Sequence, residues 1–468
     1  MHRIIIFFLS IGFCQTIDYG QYFTNNTLRF DYYHSGIAGV EYISLDELRL
    51  ECEWPGSKSN LIDQMHYGLY RFEVFDVATN KLIYAYPFAS IFGEWQTTGE
   101  AADGVWRTFH ESQRFPEPKN PFRLILKKRN PDGTYNTIYD ADHSADNRFV
   151  NRSLIAKKNK VWKILNNSAP ENKVDILILG DGYREKDGKQ FKKEAKHLVD
   201  ALFKMEPFKS RKSDFNVWAI DSFTNQAGIT NPRQNIWKNS ELDLRFNAFD
   251  SDRYVLTFAN KKLREIAAQA PYDAIMIIFN DPKYGGGGIY NLYSTVSAKS
   301  SQAEYVFVHE FGHSFASLAD EYYTSNVAYQ VSLPEYEPNE PNVTALFDPN
   351  NLKWSHLVNS ETPLPTPWNQ AAYDSIAVVY QKKRRQMITD GLDAEAMGNL
   401  FEELKKATIP LLKSEPHYGK VGAFEGGGYL AKGIYRPEVD CIMFSRNRSD
   451  FCKVCSETIN KMINWYVK

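Results

Sequence analysis

Two histidines and a glutamate in this chain have the types and spacing needed to bind a metal ion and use it. The segment 309–313 reads HEFGH, and on a helix His309 and His313 lie one turn apart on the same face. Their imidazole nitrogens can therefore occupy two corners of a tetrahedral zinc site. Glu310 is placed to take a proton from a water molecule that the zinc activates. The pattern predicts a zinc hydrolase, with zinc as the cofactor and Glu310 as the catalytic residue.

The sequence around this motif predicts a buried helix. Residues 305–308 read YVFV, and Phe311, Phe315 and Leu318 continue an apolar stripe at helical spacing. A helix with such a stripe packs into a core and carries its histidines with it. The alternative is an exposed amphipathic helix, which would leave both histidines solvated.

Asp320 is the predicted third ligand. It lies seven residues after His313, and an unbroken helix would carry it about 10 Å further along the axis. The helix must therefore end within residues 316–319 and the chain must fold back. Metzincins, with the pattern H-E-x-x-H-x-x-G-x-x-H, use the glycine for this turn, whereas Ala316 stands in its place here. Because left-handed geometry costs alanine about 1 kcal/mol, we expect the turn one residue later. Glu321 is the alternative ligand, and a solvated acidic pair is the alternative without a metal.

A methionine far downstream has a predicted role beneath the metal. Metzincins place a methionine in a tight turn under the zinc. Met443, in the segment DCIMF at 440–444, is the candidate for this position. The alternative is that Met443 is ordinary core filling.

Four cysteines follow Cys14, namely Cys52, Cys441, Cys452 and Cys455. Three connectivities are open if all of them pair. In an exported chain, a bridge from Cys441 to Cys452 or Cys455 would tie the methionine turn to the last helix. A second zinc site from Cys452 and Cys455 is the alternative, for which the sequence offers no clear second pair of ligands.

Several separated motifs together resemble the IgA-cleaving zinc metallopeptidase family of bacteria. They are HEFGHSFASLADEYY, EPNVT, TPLPTP, EGGGY, YRPxxxCxM and FCxVC, within roughly residues 160–468. The region ahead of them resembles the family's amino-terminal domain. The resemblance implies a zincin-type fold, one zinc ion per chain and endopeptidase activity. It places zinc on His309, His313 and Asp320, catalysis on Glu310 and the methionine turn at Met443.

The resemblance also bears on partners. It implies a protein or peptide substrate, and immunoglobulin is one such substrate because some members of the family cleave immunoglobulin A. The 55 basic and 57 acidic residues give a net charge of −2. Such a balance gives no polyanion-binding signature, and we expect no nucleic-acid partner.

The amino terminus predicts export. Residues 1–14 combine a basic residue, an apolar run of about ten residues and a polar continuation, as in a secretory signal peptide. The run is shorter than the roughly 20 residues of a membrane-spanning helix, and no other stretch approaches that length. A secreted, periplasmic or cell-surface protein is therefore expected, with lipid attachment through Cys14 as the alternative.

The chain is long enough for two or three domains. Residues 20–150 alternate apolar and polar positions, and two predicted hairpins (69–77 with 81–88, and 122–128 with 134–139) favour an all-β sandwich-like accessory domain. A lysine-rich link at 151–172 leads into the catalytic part, residues 160–468. The predicted fold class is α+β, with a zincin-like, metzincin-type domain built on a mixed sheet and a zinc-binding helix.

Three apolar runs, at 174–180, 215–220 and 272–279, predict buried strands of that sheet. The glycine run 285–288 predicts a flexible loop, and the following residues, 289–297, are the candidate edge strand for pairing with an extended substrate. Helical sequence is predicted at 185–204 and 381–412. The prolines between 330 and 367 predict a long ordered loop over the site.

The predicted function is that of a secreted zinc-dependent endopeptidase in which Glu310 acts as general base and then general acid. The alternative is a non-catalytic surface protein that binds host protein or glycan and holds a structural zinc. Hydrolysis of a non-peptide amide, such as a cell-wall linkage, is a third option.

Overall fold

The computed structural model describes residues 17–144, 146–148, 150–324, 332–447 and 450–467. The predicted signal peptide, residues 1–14, and lipid attachment at Cys14 both lie outside these ranges. Within the described residues, no helix is both long enough and apolar enough to span a bilayer.

The amino-terminal region consists mainly of β-strands. Its strands are β1 (Phe23–Ile37), β2 (Val40–Glu53), β3 (Tyr70–Asp76), β4 (Lys81–Phe88), β5 (Arg107–Pro118), β6 (Phe122–Arg129), β7 (Tyr135–His143) and β8 (Val150–Asn151). They form two sheets, with strand orders β5-β1-β2-β8 and β4-β3-β6-β7. The two predicted hairpins are confirmed, since β3 pairs antiparallel with β4 and β6 with β7.

The two sheets enclose an aromatic core. Phe72 of the second sheet packs against Phe30 and Phe115 of the first, with ring centroids 6.4 and 5.1 Å apart. All three rings are fully buried. Large rings filling the space between two inner faces are what a sandwich arrangement requires.

A third sheet, with six strands, organises the rest of the chain. Its strands are β9 (Lys160–Leu165), β10 (Val174–Asp181), β11 (Phe215–Asp221), β12 (Ala274–Phe279), β13 (Gly286–Ile289) and β14 (Tyr293–Ser297), in the order β13-β14-β12-β10-β11-β9. The inner four strands are parallel, and β9 and β13 are antiparallel edges. The sheet is therefore mixed, as predicted, and the three predicted apolar strands are β10, β11 and β12.

Two predictions about this sheet are wrong. The link at 151–172 contains the edge strand β9, whose mixed polar and apolar residues suit a strand with one side in solvent. The glycine run is also not a loop, because β13 itself forms the other edge, whereas β14 lies inside the sheet between β13 and β12. The predicted edge strand 289–297 therefore spans two strands and the turn between them.

Apart from short 3-10 turns, the remaining elements within the described residues are a hairpin and nine α-helices. The hairpin is β15 (Phe424–Gly427) and β16 (Leu430–Arg436), and the helices are α1 (Tyr19–Tyr22), α2 (Ile91–Trp95), α3 (Gly99–Ala102), α4 (Gly188–Leu202), α5 (Asn260–Ala267), α6 (Ala303–Ala316), α7 (Gln370–Thr389), α8 (Ala394–Lys413) and α9 (Lys453–Tyr466). The helical prediction at 381–412 covers parts of α7 and α8, which are separated by a turn with Gly391 in left-handed geometry.

Helices and strands cover both faces of the six-stranded sheet. Ile176 and Ile178 of β10 face a core shared with α4, α6 and α9, while Leu177 and Leu179 face a core shared with α2 and α5. Successive side chains of a strand point to opposite faces, so a strand covered on both sides is apolar throughout. The second core also contains Phe109 of β5, so the amino-terminal region packs directly against this sheet.

A buried ion cluster lies near this junction. His34 is 1% exposed, its ring stacks on Phe92, and its nitrogens lie 3.0 Å from Glu111 and 2.8 Å from Glu41. Burial lowers the pKa of His34, but the two carboxylates outweigh burial and raise that pKa above its ordinary value of 6.5.

We predict that His34→Gln destabilises the protein more at about pH 6 than at about pH 9. A raised pKa in the folded state adds stability below the unfolded pKa, and this stability is lost as the pH rises through the folded pKa. Breaking the buried pair should cost about 3 kcal/mol on the acidic side. Urea unfolding at both pH values measures the difference, and the exposed His356, paired with Glu457, gives the control His356→Gln. An equal loss of stability at both pH values would contradict the prediction.

Candidate metal centre

Helix α6 carries the HEFGH motif inside the protein. Ten of its fourteen residues are buried, which confirms the predicted buried helix. The helix ends at Ala316, and Ser317 adopts left-handed geometry with φ 53°. The N–H groups of Ser317 and Leu318 donate to helix carbonyls at His313 and Gly312, so carbonyls of the last turns find donors where the helix stops. The chain reverses one residue after Ala316, as predicted.

This reversal brings Asp320 back to the two histidines. Asp320 Oδ1 lies 2.9 Å from His309 Nε2 and 3.2 Å from His313 Nε2, and the two Nε2 atoms are 3.1 Å apart. Three ligands of a tetrahedral zinc, at roughly 2.05 Å from the metal, would be about 3.3 Å from one another. The three predicted ligands thus converge with the spacing and the donor types that zinc requires.

Backbone carbonyls orient both imidazoles. His309 Nδ1 lies 3.0 Å from the carbonyl oxygen of Ile442, and His313 Nδ1 lies 2.5 Å from that of Leu318. A carbonyl can only accept, so each Nδ1 carries a hydrogen, and a ring in its neutral form presents the lone pair of its Nε2 to the shared point. Tyr305 also contacts His309 Nδ1 through its hydroxyl, at 3.2 Å.

The carboxylate of Asp320 is held from its other side by Tyr429, whose hydroxyl donates to Oδ2. Tyr429 lies in the two-residue turn between β15 and β16, where Gly428 has φ 52° and Tyr429 has φ 66°. Two positive φ values suit a tight hairpin turn, but a bulky residue seldom adopts them. The backbone of this turn also holds the ligand loop, because the Gly428 N–H donates to the Asp320 carbonyl.

Met443 lies beneath the helix in a tight turn. The Phe444 N–H donates to the Cys441 carbonyl, which closes the turn, and Met443 is fully buried. A Cβ built on Gly312 would lie 3.1 Å from the Met443 sulfur, so the missing side chain lets helix and turn approach closely. Met443 therefore lies against the helix segment that carries His309 and His313, and its role as a methionine turn beneath a metal stays a prediction.

The pKa values of the ionisable groups at the site depend on one another. Burial alone would raise the pKa of Asp320, but His313 and His309 hold it well below its ordinary value. Burial alone would lower the pKa of His313, but Asp320 outweighs burial and raises it to about 9. The three groups therefore favour a shared positive charge at their centre, which a proton or a cation can supply.

Glu310 faces a cleft of about 600 Å³ next to the three donors. Burial raises the pKa of its carboxyl. Gly288 of β13 lies against it, since a Cβ there would be 2.5 Å from the Glu310 carbonyl oxygen and 3.2 Å from its Oε2. The glycine run thus permits an edge strand to lie directly against the face of α6 that carries Glu310.

Comparison with known families agrees with this geometry. The family model described as IgA Peptidase M64 matches residues 163–463. The chain belongs to the M64 peptidase family. A second model, described as Peptidase M64 N-terminus, matches residues 18–140 of this M64 peptidase, so the predicted family is confirmed over most of the chain. No curated protein matches it.

Within this M64 peptidase, Asp320 and Glu321 point to different places. Glu321 does not reach the histidines, because its carboxylate lies with Cys441, Cys452 and Cys455 and accepts from the Asn342 amide at 2.9 Å. The expected disulfide from Cys441 to Cys452 or Cys455 is wrong, because all three cysteines are free. Cys441 Sγ and Cys455 Sγ are 4.0 Å apart, about twice the length of a disulfide bond.

Sequence reasoning missed several residues of the M64 site. Tyr429 entered the sequence analysis only as the last residue of the EGGGY motif, with no role assigned to it. Arg253 lines the cleft and donates to the Tyr322 hydroxyl at 3.1 Å, and no sequence pattern indicated it. The carbonyls of Leu318 and Ile442 are backbone groups, so the residue types at these positions do not indicate that they orient the histidines.

We predict that Tyr429→Phe weakens zinc binding about 10- to 100-fold, because it removes the hydrogen bond that orients the Asp320 carboxylate. Zinc titration against a competing chelator measures the change. The matched control is Tyr323→Phe, since the Tyr323 hydroxyl donates to Asp374 instead. Equal zinc affinity in the wild type and Tyr429→Phe would show that Tyr429 does not support the ligand.

Proposed function

We propose that this M64 peptidase is an exported, zinc-dependent endopeptidase. The observation that carries the proposal is the convergence of His309, His313 and Asp320 at the floor of a wide cleft, with the Glu310 carboxylate beside them. A protein or peptide is the substrate, in keeping with a peptidase family.

We further infer a zincin-like, metzincin-type fold. A mixed sheet lies over the buried helix α6, the third ligand follows a sharp reversal, and Met443 sits in a turn under the histidines. Each of these features is part of the metzincin pattern. The carboxylate at 320 replaces the third histidine of that pattern, and the reversal at Ser317 replaces its glycine.

His309, His313 and Asp320 would hold the zinc ion. When bound, the zinc supplies a Lewis acid that polarises a peptide carbonyl and makes a water molecule acidic enough to be a nucleophile near neutral pH. The donor set has three members within the described residues. Structural zinc sites are closed by four protein ligands, whereas catalytic sites keep one position open. This count favours the enzyme over a surface-binding protein with a structural zinc.

Glu310 moves the protons of the reaction. Its carboxylate takes a proton from the attacking water, and the same carboxyl then gives a proton to the nitrogen of the leaving amine. Glu310 lies one residue from His309 on the helix, so its position is fixed by the same packing that fixes the ligands.

The glycine strand β13 is the proposed substrate-positioning edge. Gly286, Gly287 and Gly288 line the cleft. Gly286 already exchanges backbone hydrogen bonds with Arg253 and Val255, so pairing at the Gly288 end of this edge would hold a peptide extended past Glu310. The cleft is also lined by Leu69 and Arg129 of the amino-terminal region and by Pro334 and Pro338 of the proline-rich segment. Immunoglobulin is a substrate to test, because the matching family model is described as an IgA peptidase.

We predict that Glu310→Gln lowers peptide hydrolysis by at least about 10²- to 10⁴-fold, because the amide cannot take up a proton. Zinc content should not change, since Glu310 is not a ligand. The assay is mass-spectrometric profiling of a diverse protein mixture, including immunoglobulins, with zinc-loaded protein. Discrete internal cuts by the wild type that vanish in Glu310→Gln are the expected result.

The matched control is Glu304→Gln, one helical turn and a half earlier on α6, where the glutamate is exposed and pairs with His197. It should cut as the wild type does. Undiminished cleavage by zinc-loaded Glu310→Gln would remove Glu310 from the mechanism. No cleavage by the zinc-loaded wild type would favour the binding protein or hydrolysis of a non-peptide amide.

A further inference from the structure

A second group of metal-binding side chains lies behind the ligand loop. Glu321, Cys441, Cys452 and Cys455 come from three separate segments, and each is at most 1% exposed. One ligand atom from each residue lies within 4.8 Å of the others. Asp320 and Glu321 are neighbours in the chain, so the loop presents one carboxylate to the histidines and the next carboxylate to the thiols.

The distances within this group suit a tetrahedral ion. Cys441 Sγ and Cys455 Sγ are 4.0 Å apart, and Glu321 Oε1 lies 3.2 Å from Cys455 Sγ and 4.0 Å from Cys452 Sγ. Two thiolates on one tetrahedral zinc, each about 2.3 Å from the metal, would be about 3.8 Å apart. The four donors therefore need to move little to share one ion.

A disulfide would leave the cluster incomplete. It could join only two of the three sulfurs, and it would bring them to about 2.05 Å. The Glu321 carboxylate would then remain buried without a cation to balance its charge. The odd number of cysteines is therefore better explained by a common ligand than by a bridge.

The surroundings of the Glu321 carboxylate also indicate that it is a metal ligand. Its Oε1 accepts from Asn342, but its Oε2 has no hydrogen-bond partner among the described residues, although the side chain is fully buried. Burying a carboxylate oxygen without a partner costs several kcal/mol. The buried guanidinium of Arg436 attracts Glu321, but its two terminal nitrogens donate to the carbonyls of Glu425, Gly426 and Val439 instead.

We propose that Glu321, Cys441, Cys452 and Cys455 bind a structural zinc ion, separate from the catalytic one. Three soft thiolates and one carboxylate in tetrahedral array match zinc better than calcium or magnesium, which prefer oxygen ligands. Four protein donors close the site, and its complete burial keeps substrate away. Binding releases the thiol protons, and the positive Arg436 offsets part of the negative charge that remains.

The proposed zinc would brace the catalytic centre. Glu321 adjoins the ligand Asp320, and its backbone N–H donates to the Met443 carbonyl at 2.9 Å. Cys441 precedes Ile442, whose carbonyl orients His309. Cys452 and Cys455 belong to the start of α9, where the Cys455 N–H donates to the Cys452 sulfur. One ion thus links the ligand loop, the methionine turn and the last helix.

Metal content and thiol counts test the proposal on the full chain. Cys14→Ser and Cys52→Ser together leave the three cluster cysteines as the only thiols. We expect two zinc ions per chain by elemental mass spectrometry. We also expect three titratable thiols after unfolding in chelator without reductant. One thiol would indicate a disulfide, and three thiols with a single zinc, or with iron in place of the second zinc, would equally overturn the proposal.

Cobalt replacement distinguishes the two sites, because only thiolate ligands give a cobalt–sulfur charge-transfer band. We expect the band in the wild type and in His313→Ala, which removes a ligand of the other site. We expect it to be lost or strongly altered in Cys455→Ser, and Glu321→Gln, a smaller change, should weaken binding about 10- to 100-fold. The exposed Cys52 supplies the control Cys52→Ser, which should retain two zinc ions. A wild type without the band would overturn the second site and leave the proposed peptidase mechanism intact.

Discussion

The structure depends on bringing three charged or polar donor atoms to one point inside an apolar core. A helix can place two imidazoles there by itself, but it carries every later residue away along its axis. The left-handed residue Ser317 ends α6 and returns the chain, so that Asp320 meets both Nε2 atoms within 3.2 Å. The neighbouring elements hold this reversed segment in place, and the cleft beside it stays open.

The reversed segment is held from both sides. On one side, the hairpin turn at Gly428 and Tyr429 bonds to the backbone and side chain of Asp320. On the other side, Glu321 bonds to the methionine turn and joins the three cysteines. A buried carboxylate is stable only when it is paired, and the loop has two in succession. Asp320 meets this demand through the two histidines and Tyr429, and Glu321 would meet it through Asn342 and the metal ion proposed among the three cysteines.

The amino-terminal β-rich region is part of the same architecture. It covers one face of the six-stranded sheet through Phe92, Trp95 and Phe109, and its residues line one side of the cleft. The two M64 family models, one for the amino-terminal part and one for the peptidase part, together match most of the chain. Packing between the two parts therefore shapes the space available to a substrate.

The sequence by itself determined the local elements. The apolar runs of β10, β11 and β12, the two hairpins, the buried helix and its end near Ala316 all follow from periodicity and backbone sterics, which act between residues close in the chain. It also named the residues that converge, because His309, His313 and Asp320 are only eleven positions apart from first to last.

Only the tertiary structure decided the rest. It separated Asp320 from Glu321, replaced the expected disulfide with a four-residue cluster, and made an edge strand of the glycine run. It also brought Tyr429 and the Ile442 carbonyl to the ligands from more than a hundred positions away. These outcomes depend on contacts between segments distant in sequence, and no local propensity or spacing encodes which of two neighbouring carboxylates faces which partner.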